Sequence, residues 1–336
     1  MAFEALSSAF SNASLDDRPV LFSPSSYPRW TERALEPVPR FLFRVYTPRS
    51  DGFTDDTVVC SRDANAGKPG STKDVFATQA LPATAKSIAD HLRWYWNDSG
   101  DNLVSWSSSM LFVIRYIFYR HHNDKTPLDK IHLLVLDTKK FPVGTFIQDL
   151  DLISFFAPFD ADLSSLEVLR TGDTYYFGEY LSQGSLYING RCRKESAQSM
   201  IDRGLLNMHP ALESAFRNQA PGQWAKPVIA IRETIRQVGE PRLDLPELLD
   251  QALKIASSFG NHWRFPIAIH LLALMPYRLD ADQVSTKLFA GFEPSKKEMD
   301  ACAKYWQSIT VPKPMAELVR GQSIMRTLCS MRAQGQ

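Results

Sequence analysis

LVSWSSSMLFVIRYIFYRHH, residues 103–122, is the stretch on which the reading of the chain turns. Leu103 and Val104 open a short β-like run, and Ser105, Ser107, Ser108 and Ser109 crowd around Trp106. From Met110 to Tyr119 the chain is strongly apolar, with neither Gly nor Pro. Serine hydroxyls accept hydrogen bonds from the orphan N–H groups of a first helical turn. The spacing therefore predicts a strand-to-helix corner at which Ser108 and Ser109 start the helix. Ser105 lies too far ahead of that helix to cap it, so its hydroxyl is left for another purpose.

Upstream, FLFRVYT (41–47) is an apolar run of strand length bounded by Pro39 and Pro48, with Arg44 inside it. Residues 49–75 are polar and glycine-containing, a long loop or a pair of short strands. Thr84 to Trp96 has the helical period, with Ile88, Leu92 and Tyr95 on one stripe, and NDSGDN (97–102) turns the chain into the serine segment. Downstream, IHLLVLDT (131–138) reads as a strand buried on both faces. TFIQ (145–148) and LISFFAPF (152–159) read as further β segments. YYFGEYLSQGSLYI (175–188) alternates with period two, with bends at Gly178 and Gly184. After residue 193 the character changes to helical segments separated by Pro and Gly, from AQSMIDRGLL to SKKEMDACAKYWQSI. Strands first and helices after define an α+β class. The expected divisions are a loosely attached Ser/Pro/Asp-rich arm over 1–38, an α+β domain over 39–192 and a helical domain over 193–336.

The totals narrow the functional classes. A chain of 336 residues, 44% hydrophobic and 22% charged, has material for a sizeable core. A net charge of +1 gives no global field toward nucleic acid or an anionic membrane. No run of 18 uncharged apolar residues is present, so no membrane association is expected. The four cysteines are scattered without a C-x-x-C pair, which argues against a zinc site, and no metal is expected. The N-terminus lacks a basic leader followed by a long apolar stretch, so secretion is not expected, and the scattered cysteines fit a reducing compartment, the cytoplasm or else the nucleus.

Three residues stand in a telling order: Arg44 inside the first strand, Ser105 within V-S-W-S before a helix, and Glu179 in GEYLSQG at the start of a late strand. This set resembles the Arg–Ser–Glu arrangement of ADP-ribosyltransferase-like proteins of the cholera-toxin-like branch, across roughly residues 40–192. The chain also resembles a group of uncharacterised fungal proteins with this architecture and a helical C-terminal part. The resemblance implies a split antiparallel sheet followed by an all-α region, with NAD as substrate and no metal. It implies catalytic roles for Arg44, Ser105 and Glu179, and a nucleotide-binding surface of Arg44, Tyr46, Ser105, Trp106, Ser107 and Tyr176. A planar guanidinium suits phosphate and ribose oxygens, a hydroxyl suits the nicotinamide end, and a carboxylate suits the positive charge that grows on ribose. Two positions depart from the family pattern: Trp106 replaces the threonine of Ser-Thr-Ser, and Phe177 stands two before Glu179 where an acidic or amide residue is usual. The second departure turns the expectation away from arginine as acceptor and leaves protein, small-molecule and RNA acceptors open.

Two other functions compete. In one, the same scaffold is diverted to another nucleotide-linked donor, such as aminoacyl-tRNA in peptide assembly, with Arg115, Arg120, Arg191, Arg193 and Lys194 on the RNA backbone. Alternatively the chain is a non-enzymatic adaptor that binds a partner through its helical half, which an apolar groove there favours. Other residues have plain readings: His121 and His122 suit a helix C-terminus, Asp160 and Asp162 a solvated turn, and His270 an apolar helix core.

Overall fold

The computed structural model describes residues 18–24, 35, 38–95, 100–172, 175–218, 225–240, 242–308 and 315–334. Most of the expected arm, 1–38, lies outside them, as do residues 97–99 of the NDSGDN turn. The described part of the arm is tied in: Val20 bridges Gln183, and Phe22 is buried edge-on against Phe76.

The strands are β1 (Phe41–Tyr46), β2 (Phe53–Thr54), β3 (Val58–Cys60), β4 (Leu103–Ser107), β5 (His132–Asp137), β6 (Ile147–Gln148), β7 (Glu179–Gln183), β8 (Ser185–Tyr187) and β9 (Cys192–Ser196). The first six helices are α1 (Arg62–Asn65), α2 (Leu81–Arg93), α3 (Met110–Asp124), α4 (Asp149–Phe156), α5 (Ala161–Thr171) and α6 (Ala197–Asp202). The remainder are α7 (Pro210–Arg217), α8 (Ala225–Arg236), α9 (Leu245–Ser258), α10 (Asn261–Leu274), α11 (Ala281–Phe292), α12 (Lys296–Ser308) and α13 (Ala316–Gln334). The chain is thus α+β, with antiparallel sheets and a helical C-terminal half. No helix among the described residues is long and apolar enough to cross a membrane.

A six-stranded sheet runs β6-β7-β4-β1-β5-β9, and a three-stranded sheet runs β2-β3-β8. β1 and β5 register over their whole length, Phe41 opposite Asp137 through Tyr46 opposite His132. β1 and β4 share only the pair Phe43 opposite Ser107. That short pairing leaves Arg44 beside the point where the two strands part. Alternation decides which side chains meet which layer. Phe41, Phe43 and Val45 face α3 and the C-terminal helices, whereas Leu42 and Tyr46 join Val104, Trp106, Leu134 and Leu136 on the other side.

Four expectations change in the structure. LISFFAPF is α4 and a following 3-10 turn, because Leu152, Ile153 and Phe156 lie at helical spacing on a buried face and Asp149 and Asp151 suit the positive first turn. The turn at Asp160 is the cap of α5, with the Asp160 carboxylate accepting from Leu163 N–H at 2.9 Å. The boundary at 192/193 cuts through β9, which adds the strand beside β5. Nor is the helical half a separate packing unit: Phe41 meets Trp263 and Tyr305 edge-on, and Phe43 meets His270, all in one core. His270 is buried there, 2.9 Å from the Tyr305 hydroxyl, and burial lowers its pKa to about 3.

Candidate active-site cleft

The serine corner divides its labour. Ser109 is the cap of α3, accepting from Phe112 N–H at 3.1 Å, and its hydroxyl donates to Glu317 of α13 at 2.6 Å. Ser108 does not cap; its hydroxyl donates to the Gly178 carbonyl, and its N–H reaches the same oxygen at 2.8 Å. Gly178 sits at φ +64°, where a Cβ would lie 2.2 Å from Ser108 Oγ. Only glycine fits this crossing, and it delivers the next residue, Glu179, to the mouth of β7.

Arg44, Ser105, Trp106, Ser107 and Glu179 all line one cavity of about 630 Å³. Arg44 lies on its floor, where Nη1 donates to the Ser105 carbonyl at 2.9 Å and the guanidinium stands 5.9 Å from the Trp106 ring. Its buried Nε has no hydrogen-bond partner among the described residues. Burial lowers the Arg44 pKa to about 10, so the group stays cationic at neutral pH with a donor unspent. Trp106 is buried and donates from Nε1 to Ser182 Oγ at 2.9 Å, which explains how it occupies the middle of the serine motif. Ser107 is buried too, donating to the Phe177 carbonyl at 2.8 Å.

Two residues that sequence reasoning missed complete Ser105. His91, on α2, places Nε2 2.8 Å from Ser105 Oγ, and its Nδ1 lies 2.7 and 2.9 Å from the two Asp101 oxygens. This is the serine–histidine–aspartate order of a proton relay, recognised by geometry and not by chain order. Burial works against an imidazolium here, yet the Asp101 charge and hydrogen bond, together with the Glu179 charge, raise the His91 pKa above its ordinary value. Burial likewise favours neutral Asp101, but His91 and the Leu103 N–H pull its pKa below the usual range.

Glu179 is gripped from behind. Arg170 of α5 sends Nη1 to Glu179 at 2.7 Å and to the fully buried Asp149 of α4. Burial raises the Asp149 carboxyl well above its ordinary value against the pull of Arg170, and the Glu179 charge adds to the rise. Burial disfavours the guanidinium, but the two carboxylates raise Arg170 regardless. A cation held between two acids sets the carboxylate direction.

One wall is aromatic. Tyr119 stacks on Tyr116 (5.9 Å), Tyr116 on Phe112 (6.0 Å) and Phe112 on Phe177 (5.4 Å). Phe177, two before Glu179, thus belongs to this wall and offers no charge to an acceptor. Tyr46 and Tyr176 lie off the cavity. Tyr46 is at the end of β1, stacked on His132 at 5.2 Å, and Tyr176 is buried with its hydroxyl on Gln148. The basic residues suggested for RNA are largely engaged: Arg115 is buried and donates to the Ala215 carbonyl, and Arg120 to Thr47 Oγ1 and the Arg49 carbonyl. Lys194 pairs with Asp56 at 2.7 Å and Arg191 lies over the Phe141 ring, while Arg193 is exposed. Among the described residues no group of three His, Cys, Asp or Glu side chains is placed to hold a metal ion.

Residues 37–186, which span β1 to β8, match the model of a family described as Domain of unknown function (DUF7587). No curated protein and no solved structure matches the chain.

Proposed function

We propose that the cleft takes NAD as its substrate and breaks the nicotinamide–ribose bond, as a transferase or glycohydrolase of the ADP-ribosyltransferase-like kind that the sequence resembles. The observation that carries this reading is the arrival of Arg44, Ser105 and Glu179, from three separate strands, on the wall of one cavity. Its volume of about 630 Å³ falls within the range of small-molecule and cofactor sites. Arg44, which lines the cavity, meets the phosphate and ribose oxygens with its guanidinium. Ser105, fixed by His91 and Asp101, orients the nicotinamide end. The stacked wall of Tyr116, Phe112 and Phe177 receives a flat ring. Glu179 faces the ribose: as the glycosidic bond breaks, its electron pair leaves on the nicotinamide nitrogen and the carboxylate stabilises the cation. Water or an acceptor hydroxyl then bonds the ribose carbon and releases its proton.

Incubation with NAD is expected to release nicotinamide, and Glu179→Gln to slow release by roughly a hundredfold or more while the circular-dichroism spectrum is retained. Absence of release from the unaltered protein, or full release from the variant, overturns the reading.

The Asp101–His91–Ser105 chain favours a second reading, acyl transfer from an ester. Ser105 Oγ would bond the acyl carbon, pass its proton to His91 Nε2 and expel the alcohol. Labelling by a fluorophosphonate that is lost in Ser105→Ala and His91→Ala, without NAD turnover, selects this chemistry over the first.

A further inference from the structure

A second cavity, about 620 Å³, lies wholly in the helical half, away from the cleft. Its long side is α13. Ala316, Val319, Ser323, Ile324, Thr327 and Leu328 all line it, and their spacing of three and four repeats over roughly the first two thirds of the helix. Such a stripe is the seam by which one helix receives another. From Ala316 to Leu328 it runs roughly 18 Å at the helical rise, long enough for several turns of a second helix. The opposite side is made by the end of α8 and the start of α11, through Ile235 and Val284, with Val238 beside them. Val238 and Val319 are 57% and 43% exposed at its rim, above a floor of Ile235, Val284, Ile324 and Leu328 that is buried in the core.

The charges around the seam have one sign. Arg236, Arg278 and Arg320 line it, and no Asp or Glu is among its described lining residues. Arg236 reaches Glu233 on its own helix, whereas Arg278 and Arg320 have no ion pair among the described residues. Arg320 donates Nη2 to the Tyr277 carbonyl, and its buried Nε lacks a partner. An apolar seam of helical length, flanked by two guanidinium groups without an acid among the described residues, fits a partner that is itself a helix, apolar on one face and acidic on its flanks.

We propose that the groove between α13, α8 and α11 is a docking site for an acidic amphipathic helix of a partner protein, whose apolar face lies on the exposed rim of Val238 and Val319 and whose carboxylates meet Arg278 and Arg320. The site is independent of the chemistry assigned to the cleft.

The test uses the full chain and three fluorescein-labelled synthetic helices: leucine stripe with glutamate flanks, the same stripe with lysine flanks, and the glutamate peptide scrambled to destroy the stripe. Fluorescence anisotropy is expected to show binding of the first alone, weakening as salt rises. Arg278→Glu is expected to weaken it about tenfold, and Val319→Asp to remove it. Equal binding of the lysine or scrambled peptide, no binding of the glutamate peptide, or an unaltered affinity in Val319→Asp overturns the proposal. So does sedimentation as a dimer that Val319→Asp dissolves, which would make the occupant a second copy of this chain.

Discussion

The cleft and the groove enclose nearly the same volume, about 630 and 620 Å³, yet they are built from opposite materials. In the cleft most charged groups are answered by an opposite charge: Arg170 by Asp149 and Glu179, His91 by Asp101, and Arg120 by Asp124. In the groove two arginines have no acid, and the floor is aliphatic. Taking charge out of water is costly, and a buried pair seldom returns more than a well-packed apolar replacement. Interlocked charges in the cleft therefore point to orientation of bound groups, while an apolar seam whose rim carries cations without acids points to adhesion. The two should respond differently to substitution.

The largest effect is expected at Arg170. Arg170→Met leaves Asp149 buried without its cation and unties Glu179, and should destabilise the protein by about 3–5 kcal/mol, read by urea denaturation. Adding Asp149→Leu should recover part of that loss, because it removes the orphaned acid. A loss below about 1 kcal/mol in the single variant would mean that the cleft's charges are not interlocked and that the contrast with the groove fails.

Much of the frame is readable along the chain. β1 announces itself between two prolines, Ser109 does cap α3, and the sequence of strands followed by helices holds. What escaped reading depends on contacts distant in sequence. α4 was expected as a strand because a short apolar run has no period of its own until its buried face is known. β9, CRKES, is a charged edge strand, and only its pairing with β5 reveals it. Apolar helix faces look alike whether they cover each other or a sheet, so the shared core of Phe41 with Trp263 was invisible. Arg44, Ser105 and Glu179 stood out as residue types placed on strands. Their supports did not, since His91 reaches Ser105 only because α2 lies over β4, and no spacing rule links a helical histidine to Asp101 ten residues on.

That support offers an intermediate effect with a pH signature. The raised His91 pKa means that its share of stability is fully present below the ordinary value of 6.5 and fades as pH climbs through the raised one. The lowered Asp101 pKa means that its share is present above the ordinary 3.8 and fades as pH falls through the lowered one. Both act together between those ordinary values. Asp101→Asn is thus expected to cost about 2 kcal/mol near pH 6 and distinctly less at higher pH, once His91 has lost its proton in both proteins. The His91 imidazole, followed by NMR, should titrate lower in the variant. An equal cost at both pH values would show that Asp101 serves as a neutral hydrogen-bond partner, with no ionic coupling to His91.

The smallest effect on stability belongs to the groove, and it is the sharpest test of the contrast. Val319 projects from α13 with 43% of its surface exposed, so Val319→Asp removes little burial and strands no buried partner. Such surface changes usually stay within about 0.5 kcal/mol. The same substitution places a carboxylate on the seam, opposite the acidic flanks that the arginines are held to attract, and should remove peptide binding. Nicotinamide release, if the cleft performs it, should be untouched. A Val319→Asp protein that denatures early in urea would show that the seam is instead covered by the chain's own packing. Intact stability with lost binding would establish that equal volumes in this fold serve separate tasks.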